Sequence, residues 1–344
     1  MKSATISNLP YNVLDKILGS LPLKDAVKTS ILSKDWRYKW VTRAELDFRS
    51  EFFTSFNDNQ EAKKTIYQVL RLHQGPILKF TLQHPNLICY RDIYNWMLFL
   101  SKKNLISVNL QHVILYPTLF RNLITKCPLL ESLMLTRCTA FDVLEIDAPN
   151  LKYFDFLGTS KSICFKNVPM LKTVGVCLNR ILMDTSNFCS NLTKLFHFMP
   201  SLEELELGGS SLEYLNMGGI PENPPAALNN VKSVCILDMS FRNVEEVSSA
   251  VYLITSCPKL QELTIESKAI SCGAMKLLKS VEMHYFIGFE MEIEFVKFIL
   301  ASAPILKEIF IWNSGQFHRG TQIMDEIKQF HGESPNVRFK FEEM

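Results

Sequence analysis

A short apolar pattern recurs from residue 75 onward: an apolar residue, two of any type, an apolar residue, one of any type, and a third apolar residue. Each triplet ends in the alternation of a short strand, and helical spacing lies between triplets, for example over 92–102 and 119–126. Ten triplets fit the pattern: Ile77/Phe80/Leu82, Leu105/Val108/Leu110, Leu130/Leu133/Leu135, Leu151/Phe154/Phe156, Leu171/Val174/Val176, Leu202/Leu205/Leu207, Val231/Val234/Ile236, Leu260/Leu263/Ile265, Leu278/Val281/Met283 and Leu306/Ile309/Ile311.

The intervals between triplets range from 18 to 31 residues and mostly lie in or near the 20–29 residues of a leucine-rich repeat. A strand followed by a helix, always in that order, predicts parallel strands with helices outside them, curved into a solenoid. The fold class expected is therefore α/β, an irregular leucine-rich-repeat solenoid. The phase is open at one place, because Leu212/Leu215/Met217 also fits a triplet.

The first 49 residues differ and predict three short helices. Pro10 suits the first residue of a helix that ends by Gly19 and Pro22, and a second helix is expected over 24–30. Ser33 is expected to cap a third, which carries Trp36 and Trp40 four residues apart. A module this small, without a metal or a disulfide, buries too little apolar surface to be stable alone. Part of that surface must pack on the rest of the chain or on another protein.

Charge and composition exclude several classes. The 344 residues carry 37 Lys+Arg and 35 Asp+Glu, a net charge of +2, with +4 in residues 1–49 and −2 in the remainder. With 47% hydrophobic residues the chain is too apolar to be disordered, and its balanced charge is not that of a nucleic-acid binder. No apolar run predicts a membrane span, and no secretory leader is visible, so a cytoplasmic or nuclear location is expected. Nine cysteines without a C-x-x-C pair predict neither a disulfide framework nor a zinc site.

The N-terminal residues carry a resemblance. Leu9-Pro10, Val13-Leu14, Ile17-Leu18, Leu21-Pro22 and Lys24-Asp25-Ala26, followed by Leu32-Ser33-Lys34, Trp36-Arg37 and Trp40, closely resemble the F-box of plant F-box/leucine-rich-repeat proteins. The resemblance implies docking on the acidic Skp-type adaptor of SCF ubiquitin ligases, and the positive charge here would favour that encounter. It implies a docking surface drawn from Leu9, Pro10, Val13, Leu14, Ile17, Leu18, Leu21, Pro22, Leu32, Trp36 and Trp40. The alternative is a structural three-helix cap on the second domain.

The C-terminal residues resemble the FBD region that ends many such proteins. The resemblance rests on 278–282, on Gly288-Phe289-Glu290 and the apolar run to Leu300, and on Ala303-Pro304 with Leu306-Lys307. The spacing predicts a strand, a helix over 290–302, a strand, a helix over 322–330 and a closing strand over 337–341. This region would cap the open end of the solenoid.

No motif indicates catalysis. The chain has no phosphate-binding loop, dinucleotide fingerprint or nucleophile elbow, and its seven histidines are not paired at metal-binding spacing. We therefore expect no enzymatic activity, cofactor or metal site. No RING-type spacing of Cys and His is present either, so partners would supply any ubiquitin chemistry.

Residues between the core positions of each strand should face the concave side of the solenoid, where a target would bind. An acidic stretch beside aromatic residues would suit a basic or mixed target segment, although exposed Glu on strands is also ordinary solvation. The candidates are Met134, Tyr153, Asp155, Glu204, Glu206, Glu266, Glu282, His284, Phe310 and Trp312, together with Thr136 and Thr264.

The resulting expectation is an F-box over 1–48, a leucine-rich-repeat solenoid over 49–272 and an FBD-like cap over 273–344. The resemblance implies a substrate-recognition adaptor of an SCF-type E3 ligase that binds a Skp-type adaptor, through it a cullin and RING protein, and an unknown target. No nucleic acid or membrane is expected as a partner. A ligand receptor, a non-degradative scaffold and a stand-alone hydrolase remain as alternatives.

Overall fold

The computed structural model divides the chain into two compact units, Met1–Phe141 and Asp142–Met344. No helix in the described part of the chain is both long and apolar enough to cross a membrane. The structure describes residues 10–34, 36–54, 56, 58–83, 90–138, 141–179, 195–196, 199–216, 223–239, 243–266, 278–288, 290–313, 327, 329–330 and 337–343.

The N-terminal helical module, residues 10–44, contains two of the three predicted α-helices. Helix α1 (Tyr11–Ser20) begins directly after Pro10, and α2 (Leu23–Lys28) continues into a 3₁₀ turn at Thr29–Ile31. The predicted third α-helix is wrong, because the segment turns through successive i to i+3 backbone bonds and ends in a 3₁₀ helix at Lys39–Thr42. Ser33 still caps it, since its Oγ accepts from the Trp36 N–H at 3.3 Å.

A parallel sheet fills the rest of the first unit. The chain runs through β1 (Glu45–Phe48), α3 (Ser50–Phe53), α4 (Asn59–Leu72), β2 (Lys79–Gln83), α5 (Tyr90–Leu100), β3 (Ser107–Gln111), α6 (Pro117–Lys126) and β4 (Ser132–Thr136). The strands pair in sequence order, and Phe48, Leu82, Leu110 and Leu135 share one register row. Strand β1 was not predicted, because Leu46 and Phe48 supply only two members of the triplet.

The second unit repeats this arrangement at greater length. Strands β6, β8 and β9 to β14 pair in parallel in that order, and Phe154, Val174, Leu205, Val234, Leu263, Val281, Ile309 and Phe339 form one row. The elements are β5 (Phe141–Asp147), β6 (Tyr153–Gly158), β7 (Ser160–Asn167), β8 (Thr173–Leu178), β9 (Glu204–Gly208), α7 (Gly209–Asn216), a 3₁₀ helix (Ala226–Asn230), β10 (Ser233–Leu237), α8 (Val244–Thr255), β11 (Glu262–Glu266), β12 (Ser280–Phe286), α9 (Glu290–Ser302), β13 (Glu308–Asn313) and β14 (Arg338–Glu343).

The predicted triplets are confirmed as the core. In all ten, the last two members lie in a strand of the parallel sheet and the first lies just before it, and none of the thirty side chains is more than 4% exposed. Burial of each such side chain contributes about 1.5–3 kcal/mol, which makes them the main source of apolar stabilisation. The alternative phase at Leu212 is wrong, because that residue lies in helix α7.

The prediction of outer helices fails in two repeats. The connections on either side of β6 carry strands, β5 and β7, which pair with each other in a separate two-stranded sheet. The triplets there are only 20 and 21 residues apart, and the alternating sequence buries Leu144 and Ile146 on one strand and Phe165 on the other. The Phe165 ring meets Phe154 edge to face at 5.3 Å, so these strands cover the core that helices cover elsewhere.

The C-terminal region follows its predicted order of strand, helix, strand and closing strand. Helix α9 has the predicted bounds, and β14 starts one residue later than expected. The helix expected over 322–330 lies almost entirely outside the described residues. Glu292, which is fully buried, accepts backbone N–H bonds from Ile287 and Gly288 and so fixes the turn that leads into α9.

Candidate functional site

The residues predicted to dock a partner fall into two groups in the helical module. Leu14, Leu18, Trp36 and Trp40 are at most 5% exposed and form the interior of the module. Pro10, Val13, Pro22 and Leu32 are exposed, and Ile17 and Leu21 are half-buried. Leu9 lies outside the described residues. A surface role is therefore open only to the second group, and the first group holds the module together.

The most exposed apolar side chain of this module was not predicted from the sequence. Ile31 is 86% exposed, beside Leu32 at 64%, and Tyr38 is 63% exposed. The Ser30 hydroxyl donates to the Arg37 carbonyl at 2.9 Å, which closes the loop that carries Ile31 and Leu32, and Tyr38 follows it directly. We call Ile31, Leu32 and Tyr38 the apolar loop. The resemblance did not identify Ile31, because the motif specifies no residue at that position.

Arg43 joins this module to the sheet of the first unit. Its Nη2 donates to the Gly19 carbonyl at 3.0 Å, and its own carbonyl contacts His73 Nε2 at 2.8 Å. Burial lowers the pKa of Arg43, and burial likewise lowers the pKa of His73. These bonds tie α1 and α4 to the segment that enters β1.

A polar cleft of about 780 Å³ lies beside Arg43, between the α1–α2 turn and strands β1 to β3. Most of its charges are already paired: Lys28 with Asp25 at 2.9 Å, Arg49 with Asp47 at 2.6 Å, and Lys79 with Glu45 at 3.9 Å. The bond to Asp47 raises the pKa of Arg49. The lining therefore offers no strong net charge to a ligand.

Several of the predicted concave residues come together in the second unit. Within each strand, they point away from the buried triplet and form what we call the open face. The parallel register places Asp155, Gly175, Glu206, Cys235, Thr264, Glu282 and Phe310 in one row across β6 to β13. A second row lies two residues earlier along the same strands and contains Tyr153, Thr173 and Glu204.

Burial and neighbouring carboxylates both raise pKa values on the open face. Burial raises the pKa of Asp155, and burial followed by repulsion from Asp155 and Glu266 raises the pKa of Glu206. The thiols of Cys177 and Cys235 have pKa values raised to about 12, first by burial and then by carboxylates that include Glu206. The pKa values of several groups thus depend on the same carboxylates, which lie close enough together to interact.

An aromatic group ends this face. The His284 and Trp312 rings stack at 5.9 Å with 4° between their planes, and His284 Nε2 is 3.5 Å from a Glu282 oxygen. Lys340 lies over the Phe310 ring at 4.4 Å. The indole N–H of Trp312 is buried and has no acceptor among the residues that the structure describes. We call His284, Phe310 and Trp312 the aromatic end.

Of the other predicted concave residues, Met134 and Thr136 stand apart, whereas Glu204 and Thr264 lie on the open face. Met134 and Thr136 belong to β4 in the first unit, where the Asn109 amide donates to the Met134 sulfur at 3.6 Å. Glu204 is exposed and accepts from the Thr173 hydroxyl at 3.0 Å. Thr264 lies in the row between Cys235 and Glu282.

Three family models match this chain. The F-box domain matches residues 6–44, the LRR domain described as At1g61320/AtMIF1 matches 122–272, and the FBD matches 275–311. The Arabidopsis thaliana F-box/LRR-repeat protein At1g55660 is 30% identical over 75% of this chain and 72% of its own length. The chain belongs to the plant F-box/FBD/LRR-repeat family. F-box and LRR domains together support an SCF-type adaptor role in general.

Other comparisons extend over most of the chain. The A. thaliana F-box/FBD/LRR-repeat protein At1g13570 is 28% identical over 90% of this chain and 91% of its own length. The solved TLR13–ssRNA13 complex aligns with 90% of this chain and 52% of that chain, at a TM-score of 0.40 and 13% identity, values too low to bear on function.

The F-box match ends at Lys-Trp-Val-Thr-Arg-Ala, directly before β1, so the apolar loop lies inside the F-box. The FBD match covers β12, α9 and the start of β13, which places most of the aromatic end in the FBD region. Among the described residues, no group of three or more His, Cys, Asp or Glu side chains could hold a metal ion.

Proposed function

We propose that this F-box/FBD/LRR-repeat protein is a substrate-recognition subunit of an SCF-type E3 ubiquitin ligase. Its F-box docks on a Skp-type adaptor, which connects it to a cullin and a RING protein, and its repeats bind the target. The observation that supports the proposal most directly is the apolar loop, which exposes Ile31, Leu32 and Tyr38 within the matched F-box. Apolar side chains this exposed favour burial against a partner.

In this proposal the chain acts by positioning rather than by chemistry. The F-box and the repeats are two binding modules on one polypeptide, so a bound target is held near the ubiquitin-conjugating enzyme at a high effective concentration. The lysine of the target and the charged enzyme then react as if in one molecule. We expect this assembly in the cytoplasm or the nucleus.

Co-expression of the full chain with a Skp-type adaptor tests the proposal. We expect a stoichiometric complex in size-exclusion chromatography, and its loss when Ile31 and Leu32 are both replaced by serine. Leu72→Ser is the matched control, because Leu72 is 51% exposed on α4, outside the matched F-box. A full chain that folds but does not co-purify with any Skp-type adaptor would refute the proposal.

Reconstitution separates the adaptor role from a scaffold role. We expect the complex, with cullin, RING protein, ubiquitin-activating and ubiquitin-conjugating enzymes, to ubiquitylate a protein captured by the repeats. Capture without ubiquitylation would favour the non-degradative scaffold. Turnover of a substrate by the isolated chain would contradict both.

A further inference from the structure

We infer that the open face of the second unit binds an extended, basic segment of the target, with an aromatic or large aliphatic residue placed at the aromatic end. The inference rests on the proposed function and specifies the chemistry of the partner that the repeats recognise. It depends on three features: the charges of the face, their spacing, and the groups at its end.

The charge of the open face is one-sided over six strands. The positions of β6 and β8 to β12 that point away from the buried triplets include six carboxylates and no Lys or Arg. The carboxylates are Asp155, Glu204, Glu206, Glu262, Glu266 and Glu282. The described residues form only one ion pair with them, between Glu282 and the His284 ring. We call these six the acidic face.

The carboxylate of Glu203, directly before strand β9, behaves differently. Glu203 bridges Lys172 and Lys232 at 3.0 and 2.7 Å, and these lysines lower the pKa of its carboxyl. In contrast, the pKa values of Asp155 and Glu206 are raised. Among the described residues, lysines thus reach a carboxylate next to the acidic face and none reaches the face itself, so a basic partner would complement it.

The spacing of the carboxylates defines the length of that partner. Neighbouring strands are about 4.8 Å apart, so Asp155 on β6 and Glu206 on β9, two strand steps apart, are separated by about 10 Å. Glu282, three steps beyond Glu206, lies about 14 Å further on. An extended peptide advances about 3.3 Å per residue and its side chains alternate in direction, so basic residues four positions apart face the same way at about 13 Å. Flexible lysine side chains at that spacing would meet all three carboxylates.

The aromatic end determines which residue type should come after the basic ones. Trp312 and Phe310 lie one strand beyond Glu282, and the stacked His284–Trp312 pair offers an apolar surface. A large apolar side chain of the segment would cover the accessible part of these rings. Beyond them, Arg338 and Lys340 on β14 lie 3.1 and 3.9 Å from Glu308 on β13, so among the described residues the run of carboxylates without a Lys or Arg partner ends at Glu282.

Fluorescence anisotropy of the full chain with labelled synthetic peptides tests the inference. The first peptide has three lysines at the predicted spacing followed by a tryptophan; the second has the same composition with adjacent lysines; the third has glutamates in place of lysines. We expect the first to bind about tenfold more tightly than the second and the third not to bind. Glu206→Gln and Asp155→Asn should each weaken binding of the first about fivefold.

Two controls separate a specific site from general attraction. Glu294→Gln removes one negative charge from α9, away from the open face, and should leave affinity unchanged. Trp312→Ala should weaken binding of the first peptide and leave the second unaffected. Equal affinity for the first two peptides, or an equal loss in the Glu294 variant, would overturn the inference. Neither result would affect the adaptor complex, which is measured separately.

Discussion

Replacing both Ile31 and Leu32 by serine should abolish docking on a Skp-type adaptor without unfolding the protein. Full burial of an Ile or Leu side chain contributes about 1.5–3 kcal/mol. Scaled by the exposed fractions of 86% and 64%, the two side chains could contribute about 2–4 kcal/mol if the partner covers them completely. Because each 1.4 kcal/mol is a factor of ten, the affinity should fall by about 30- to 1,000-fold.

Isothermal titration calorimetry of the full chain against a purified adaptor measures this loss. The thermal unfolding midpoint should stay within about 2 °C of the parent, since neither side chain contributes to the core. Leu72→Ser should retain the parental affinity. An affinity within about threefold of the parent for the double variant, or an equal loss for Leu72→Ser, would refute the reasoning, because docking would then not depend on the apolar loop.

Three further predictions concern stability and reactivity. A Cβ at Gly209 would lie 2.6 Å from the Asp238 carbonyl oxygen, whereas at Gly175 it would meet only the movable Asp155 carboxylate, so in urea titrations Gly209→Ala should cost about 2–3 kcal/mol and Gly175→Ala less than about 1 kcal/mol. Because the pKa values of Asp155 and Glu206 are raised in the fold, their ionisation opposes folding. The double variant Asp155→Asn/Glu206→Gln should therefore have a higher free energy of unfolding than the parent at pH 7. In urea titrations this difference should disappear below the ordinary pKa values of 3.8 and 4.5. Iodoacetamide at pH 8 should label five thiols only after unfolding, as measured by mass spectrometry. Burial raises the pKa of Cys127 to about 11, and it raises the pKa to about 12 at Cys138, Cys177, Cys235 and Cys257. Equal costs at the two glycines, a variant advantage that persists at low pH, or rapid labelling of the native protein would contradict the respective predictions.

The repeat core could be predicted from sequence because parallel strands impose a strict alternation. An apolar residue at each inward position is required for burial, so the triplets identify the strands and, by exclusion, the residues of the open face. The register between strands is not in the sequence pattern. That Asp155, Glu206 and Glu282 lie in one row emerged only from the pairing of the strands.

The helical module was harder to predict for a physical reason. Trp36 and Trp40 are four residues apart, which suits an α-helix, but a chain of i to i+3 turns also brings both rings into the interior. Apolar periodicity identifies which residues avoid water in the final assembly. It does not distinguish Leu14, which is buried in the module, from Leu32, which is 64% exposed.

The two strands that replace outer helices were missed for a different reason. Short repeat intervals rule out a full helix, but the choice between a loop and a strand depends on packing against Phe154 across the connection. Such a contact between segments is invisible to local spacing.

The parallel register has an implication for engineering this chain. Connections that differ in length and in secondary structure return the backbone to the same row, so the location of an outward side chain depends on its strand and not on the segment before it. A connection such as α8 could then be shortened, or exchanged for a strand like β7, while the carboxylates keep their mutual distances. Specificity and scaffold size are in this sense separately adjustable, and target preference could be rewritten by grafting a few strand positions.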